Sequence, residues 1–431
     1  MPVSSWRGFF GERARTAVYG WSQFAFETDH LKRQILGYTV HVLLDPDMVQ
    51  HVMLDRPANY AKPDIVKSLL DPIIGRGLLT SDGELWRAQR RIVAASFSPA
   101  AVDAQRTMFV EAARSAMARW QDGERRDMAV EATRTTMTVI ALALFGGDPR
   151  LTSTESMNHI EAAIEGFSEA RLLALLRLPR IPVTRRGRAG QRGQAHLRHT
   201  LVEVVADRWS GRMGGDFLSG MIEALRERFP DDEARALSID NAATFYLAGH
   251  ETTANALTWT LFLLAAQPEV QEKLAAEARA ALAGGGGPLT DRLPRLRLML
   301  MESLRLYPPV PRFDRQAVVA DRIGEVEVAP GDIVSIWPWL LHRHARLWDE
   351  PDAFDMDRFA EKGGRHRFQY LPFGAGPRTC VGAQFATAEA LTILAHWLSE
   401  WRFAETGHPV RAAGMVTLRP AGGLPLRLER R

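Results

Sequence analysis

The chain has one cysteine, Cys380, in 431 residues. That excludes an intrachain disulfide framework, an all-cysteine iron–sulfur cluster and cysteine-rich zinc sites. Lysine is nearly as scarce, with 5 lysines against 49 arginines, so the positive charge rests on guanidinium groups that do not deprotonate in proteins. Neither sign of charge is in excess: 54 basic and 51 acidic residues leave a net of +3, too little for a general nucleic-acid binder. Long apolar runs are also missing. The longest, 137–144 and 254–266, contain Thr, Asn or Trp and are too short to cross a bilayer, so they read as core helices. Residues 1–11 hold no run of signal-peptide or span length, and the expectation is a soluble, cytoplasmic chain without a transmembrane anchor.

What is present is an ordinary globular composition, 46% apolar and 24% charged, enough for a large core. Helical periodicity dominates, over 101–120, 130–144, 198–209, 238–266, 296–306 and 384–401. Strand patterns are few: 38–44, then 323–328 with 333–336 around Pro330-Gly331, and a hairpin of 416–418 with 424–428 around Ala421-Gly422-Gly423. Gly284 to Gly287 read as a connector, and the arginine-rich stretch 171–198 reads as a solvated loop between helices rather than a lipid contact. No internal repeat is found.

Three stretches carry chemistry. Phe373-Gly374-Ala375-Gly376-Pro377-Arg378-Thr379-Cys380-Val381-Gly382 is a tight loop that brings the sole thiol to the start of the 384–401 helix. There, unpaired N–H groups and the helix dipole favour a thiolate, although a lone cysteine is as readily a small buried apolar residue. Glu302 and Arg305 share a helix face, a spacing that surface salt bridges also have. Within 238–266, where Ser238 is the expected cap, Ala248-Gly249-His250-Glu251-Thr252-Thr253 interrupts strongly apolar flanks. Ala248 and Thr252 share a face, and Gly249 thins the helix so that a bound group can approach.

Together these stretches resemble the cytochrome P-450 haem-thiolate monooxygenases. The loop meets every fixed position of their Phe-Gly-x-Gly-x-Arg/His-x-Cys-x-Gly pattern, and 248–253 meets their distal Ala/Gly-Gly-x-Asp/Glu-Thr-Thr pattern. Glu302-Ser303-Leu304-Arg305 matches their ExxR element, whose partner segment reads Met356-Asp357-Arg358-Phe359 here, with Met and Asp departing from the usual Pro and Glu. The resemblance covers nearly the whole chain, as one domain over 1–431, with residues 1–35 matching least.

The resemblance implies a mainly α fold with a small β-rich part, and haem b between the long distal helix and the cysteine loop. Cys380 is the implied axial ligand of the iron, Thr252 the hydrogen-bond donor to dioxygen and Glu251 a proton relay. Arg378, Trp86, Arg90 and Arg315 are the implied propionate contacts, with Arg312 competing for the last, while Phe373, Gly374, Ala248 and Gly249 lie against the cofactor. Glu302, Arg305 and Arg358 take a structural role, and His250 and His342 are not ligands. The implied reaction inserts one oxygen atom of O2 into an apolar substrate that lies among 61–79, 161–178, 245–248, 310–313 and 414–416. A peroxide-dependent peroxygenase or isomerase, or a non-catalytic haem-binding sensor, are the alternatives. Electrons are expected from a ferredoxin, or a flavodoxin, with its NAD(P)H-dependent reductase, docking on Arg87, Arg91, Arg365 and Arg367 of a monomer.

Overall fold

The structure, a computed structural model, describes residue 16 and residues 18–35, 37–153, 155–156, 158–159, 162–163, 184–211, 214–285, 287–361, 363–414 and 416–431. Among these, ten helices exceed ten residues: α1 (Asp64–Ile74), α2 (Gly83–Ala94), α3 (Arg106–Met117), α4 (Met128–Phe145), α5 (Arg185–Trp209), α6 (Phe217–Arg228), α7 (Asp231–Ala265), α8 (Pro268–Ala283), α9 (Pro294–Leu306) and α10 (Ala383–Glu400). The strands are short: β1 (His30–Ile35), β2 (Tyr38–Leu43), β3 (Tyr60–Ala61), β4 (Arg125–Asp127), β5 (Phe313–Ala317), β6 (Asp321–Ile323), β7 (Val326–Val328), β8 (Ile333–Ile336), β9 (Trp401–Glu405), β10 (Arg411–Gly414), β11 (Leu418–Ala421) and β12 (Pro425–Arg430). The largest sheet runs β1-β2-β8-β5-β3, and only its β2–β8 pair is parallel.

The central helix is α7. Asp231, Asp232 and Glu233 occupy its first turn, where negative charge suits the free N–H groups, and Pro268 follows its end. Its 35 residues span about 52 Å at about 1.5 Å per residue. Ser238 is not its cap but lies two turns inside, donating its hydroxyl to the Ala234 carbonyl at 2.7 Å. The acidic first turn lacks apolar periodicity, which hides the true start. Helix α4 lies against α7, and Gly249 makes this close: a Cβ there would lie 2.6 Å from Ile140 Cδ1. The missing side chain of Gly249 therefore admits a neighbouring helix, not a bound group. The 18 residues of α4 are apolar enough to cross a membrane, with mean hydropathy 1.3, yet 67% of them are buried in this core.

Residues 185–198 of the presumed arginine-rich loop belong to α5; its Gly187, Gly190 and Gly193 face inward while Arg185, Arg186, Arg188 and Arg192 face solvent. Most of 171–184 lies outside the described residues. Glycine spacing of three, which weakens a helix in isolation, here allows close packing. The presumed hairpin of 416–418 with 424–428 does not form: β11 pairs with β10, and β12 joins β9 and β4. Likewise 323–328 is no single strand but the β6–β7 hairpin, while β8 pairs with β2 and β5.

The buried ion pair of α9 organises the connection to the cysteine loop. Arg305 meets Glu302 through two bonds of 2.8 and 2.7 Å, and both side chains are fully buried. Arg305 also donates to the carbonyls of His342, Pro351 and Ala353 at 2.9, 2.6 and 2.9 Å. Glu302 accepts further from Arg358 at 3.2 Å and from the Asp355 N–H at 3.0 Å. The Leu371 N–H donates to His342 Nε2 at 2.8 Å, which leaves Nδ1 to donate to the Arg305 carbonyl at 3.2 Å. Burial, with the Arg305 and Arg343 charges, lowers the His342 pKa to about 3. A histidine held neutral stabilises the fold fully above its ordinary value near 6.5, and this contribution is lost as pH falls from there toward 3. Urea midpoints should therefore fall below pH ~6.5, and His342→Gln should flatten that slope. Arg305→Leu, which strands the Glu302 carboxylate, should cost about 3–5 kcal/mol at neutral pH.

Candidate active site

The cysteine loop is closed by its own backbone. The Cys380 N–H donates to the Phe373 carbonyl at 2.9 Å, and Thr379 N–H to that of Gly376 at 3.1 Å. Gly376 has φ +67°, and a Cβ there would sit 1.9 Å from the Met53 carbonyl oxygen, so no other residue fits without moving backbone. Gly374 has the same φ but only a methyl of Met53 at 4.0 Å. Phe373 packs at the edge of the main core. Cys380 itself precedes α10, whose cap is Gly382. The residue is exposed, yet protein surrounds its thiol. Burial pushes the thiol up, opposed by the Gly382 N–H and the Arg90 guanidinium. Desolvation thus opposes the thiolate that the helix start favours, and coordination to a metal would favour the anion.

The arginines converge beside this loop. Arg378 donates to the Ser81 carbonyl at 3.0 Å, ion-pairs with Asp82, and lies 4.4 Å over the Trp86 ring. Arg90, also on α2, faces Cys380, and burial lowers its pKa. Arg315, on β5, is 7% exposed, and burial with the Arg378 charge lowers it to about 10. Arg312 is spent elsewhere, paired to Asp314 at 3.1 Å and stacked on Trp337, so Arg315 is the cleft residue of the two. Sequence reasoning missed Lys62. Burial lowers its pKa well below the ordinary value, and Arg315 and Arg378 lower it further. Its one clue was rarity, since an amine followed by proline in a chain of five lysines is not surface filler.

Opposite charge in this cluster comes from Asp82 and Asp314, and both are shared: Asp82 also binds Lys67 at 2.8 Å and Asp314 also binds Arg312. Three crowded cations of lowered pKa form a cradle for a dianion. A soft sulfur donor at its edge suits iron. The donor set fits an iron porphyrin bearing two carboxylates.

Across the site, Ala248 is exposed on an otherwise buried stretch of α7, and Glu251 and Thr252 are partly exposed beside it. Thr252 donates its hydroxyl to the Ala248 carbonyl at 2.8 Å, a local bond that competes with the helix ladder. Glu251 accepts from Thr417 Oγ1 at 2.5 Å. No sequence signal marks Thr417, which lies 166 residues away in the turn between β10 and β11. His250 is buried and neutral, its ring bonded to the Tyr246 carbonyl at 2.6 Å. Of the expected substrate-lining residues, Leu79 and Val416 are exposed, 40% and 45%, whereas Phe245 is taken into an aromatic cluster with Phe97 and Phe217. Residues 161 and 164–178 lie outside the described residues. Helices α7 and α10 meet at Thr253 and Glu389, and Phe97 spans from Phe245 to Gly382, which brings the α7 stripe and the thiol loop into one site.

A family model described as Cytochrome P450 matches residues 26–422. The chain belongs to the cytochrome P450 family. Curated relatives include Protein LUTEIN DEFICIENT 5, chloroplastic, of Arabidopsis thaliana, 30% identical over 90% of this chain and 70% of that protein. Cyclooctatin synthase of Streptomyces melanosporofaciens is 31% identical over 84% of this chain and 80% of that protein. Among solved structures, the haem domain of cytochrome P450DA superposes with a TM-score of 0.80 at 26% identity, covering 94% of this chain and 90% of that one. This P450 is accordingly an enzyme of the monooxygenase type, with haem as cofactor and O2, an organic substrate and a redox partner as its general requirements. Lys62→Met should speed haem transfer from the holoenzyme to apomyoglobin several-fold, while Arg312→Gln should leave the rate unchanged.

Proposed function

We propose that this P450 inserts one oxygen atom of O2 into an apolar organic substrate, by hydroxylation or epoxidation, using electrons from a separate protein. The observation that carries the proposal is the pairing of two features in one site. The sole thiol ends a tight loop beside a cation cradle, and the Ala248–Thr252 stripe exposes a hydroxyl and a carboxylate on α7, which packs on the α10 helix that follows the loop. Haem b bound through Cys380 supplies oxygen activation, which the thiolate strengthens by donating electron density. The chain's own residues do the rest. Lys62, Arg315 and Arg378 neutralise the propionates, with Trp86 and Arg90 beside them; this requires Arg378 to share or exchange its bond to Asp82. Thr252, released from the Ala248 carbonyl, would present its Oγ1 proton to the cleft, and Glu251 would replenish that proton from solvent. Thr417 sets where the Glu251 carboxylate stands. Exposed Leu79 and Val416 favour an apolar substrate over a sugar or nucleotide.

A relay of this kind argues for use of O2 rather than peroxide, which arrives already reduced and protonated. Cys380→Ala should abolish the red-shifted Soret band of the reduced, carbon-monoxide-bound protein. Persistence of that band would remove the thiol from the iron. Thr252→Ala should keep haem but uncouple oxygen consumption from product. Thr417→Val should uncouple partially and alter the pH profile of coupling, and Thr417→Ser should restore both, an outcome that a merely packing role for Thr417 does not predict.

We propose further that the electron donor is an acidic ferredoxin, or a flavodoxin, served by an NAD(P)H-dependent reductase. The basic surface is smaller than the residue count suggests: Arg87 is ion-paired with Glu84, and Arg365 bonds the Arg358 carbonyl and stacks on Phe359. Arg91 and Arg367 are exposed and, among the described residues, their side chains carry neither an ion pair nor a backbone bond, although Arg367 stacks on Phe368. Reduction should slow as salt shortens the Debye length from about 10 to about 3 Å. Arg91→Glu with Arg367→Glu should slow it at low salt without changing substrate affinity.

A further inference from the structure

We infer that Glu155, His159 and His196 form a binding site for a divalent transition metal of the zinc type, outside the haem cleft. Their ligand atoms lie within 4.8 Å of one another, and no ion is present. Glu155 and His159 stand one helical turn apart, with Oε1 and Nε2 at 3.9 Å. His196 comes from α5, and its ring stacks on that of His159 with centroids 4.2 Å apart. Two imidazoles and a carboxylate are the donor set that zinc takes, leaving a fourth position to water. In a tetrahedral site with bonds of about 2.0–2.1 Å the donors stand about 3.3 Å apart, so closure draws together atoms now within 4.8 Å of one another and turns the two imidazoles out of their stack.

Two independent features preassemble the three groups. A Cβ at Gly193 would fall 2.1 Å from the His159 carbonyl oxygen and 3.0 Å from the Ala163 nitrogen. Only glycine lets the two segments touch backbone to backbone, and that contact sets His196, three residues on, against His159. Ser156 then fixes the His196 ring. Its hydroxyl donates to the Arg150 carbonyl at 2.5 Å, which leaves its lone pairs to accept from His196 Nε2 at 3.3 Å. The nearby basic side chain of Arg150 is already neutralised by Asp148 and Asp207, at 2.7 and 2.9 Å. The pairing of His199 with Glu203 at 3.3 Å, further along α5, has the same spacing without a third ligand among the described residues and serves as an internal control.

The site would staple residues 155–159 to α5. Titration of untagged holoenzyme with zinc chloride, followed by calorimetry, should show one equivalent bound with a micromolar dissociation constant. His159→Ala with His196→Ala should abolish that equivalent, Glu155→Gln should weaken it about tenfold, and His199→Ala should leave it intact. Hydrogen exchange should slow with zinc over 155–163 and 187–197 in the parent alone. The unchanged Soret spectrum of each variant checks that it is folded. No stoichiometric binding by the parent, or binding that survives in the double variant or follows His199, would overturn the site.

Discussion

The geometry of the thiol depends on a carboxylate and a guanidinium that never see water. Glu302 and Arg305 between them engage three carbonyls, a second arginine and a backbone N–H. A buried pair is weak evidence of stability for its own sake, because desolvation offsets most of the attraction. What this pair supplies is placement. Arg305 holds the His342 carbonyl, the His342 ring takes the Leu371 N–H, and two residues later the Phe373 carbonyl closes the loop on Cys380. Tyr370 adds a second tie, from its hydroxyl to the Met301 carbonyl at 2.8 Å. The loop is thus suspended from α9 by a chain of satisfied polar contacts.

The two sides of the site are built from opposite physics. Beside the loop, cations are crowded until burial and mutual repulsion lower their affinity for protons, which makes the cradle a receptor for anions. On α7 the helix interrupts its apolar surface with a small residue, a hydroxyl and a carboxylate. The helix backbone is held in place from behind, where Thr136 Oγ1 donates to the His250 carbonyl at 3.0 Å and Ile140 fills the notch at Gly249. At the far end of α7, Trp259 stacks on Tyr307 at 4.1 Å and donates to the Leu418 carbonyl at 2.9 Å. That bond anchors the turn that carries Thr417.

Much of this was legible in the sequence where it depended on local order. The loop from Phe373 to Gly382, the helix bearing Ala248 to Thr253, and the Glu302–Arg305 spacing are contiguous, and a contiguous pattern needs no knowledge of the fold. Helix α10 matched to within one residue at each end. Failures came where partners are distant. The acidic first turn of α7 and the glycine face of α5 look like loop until a neighbouring element packs on them. The expected pairing of 416–418 with 424–428 fails, since strands of four to six residues cannot specify whom they pair with. Gly249 thins its helix next to Ala248 and Thr252, which in sequence suggests room for a bound group, yet the missing Cβ points to Ile140. Lys62 and Thr417 act through contacts made across the fold, and the thiol's tendency to stay protonated is a property of its surroundings.

The identity of the cations in the cradle has a consequence for proton stoichiometry. Guanidinium groups hold their protons, so Arg315 and Arg378 cannot relieve the crowding by becoming neutral. Lys62 can, and its lowered pKa means that the free amine forms at a pH where an exposed lysine would remain charged. When a dicarboxylate enters, the repulsion is compensated and the amine regains its charge. Filling the cleft therefore draws a proton from solvent over that pH interval, and the heat of loading will carry the ionisation enthalpy of whatever buffer supplies it.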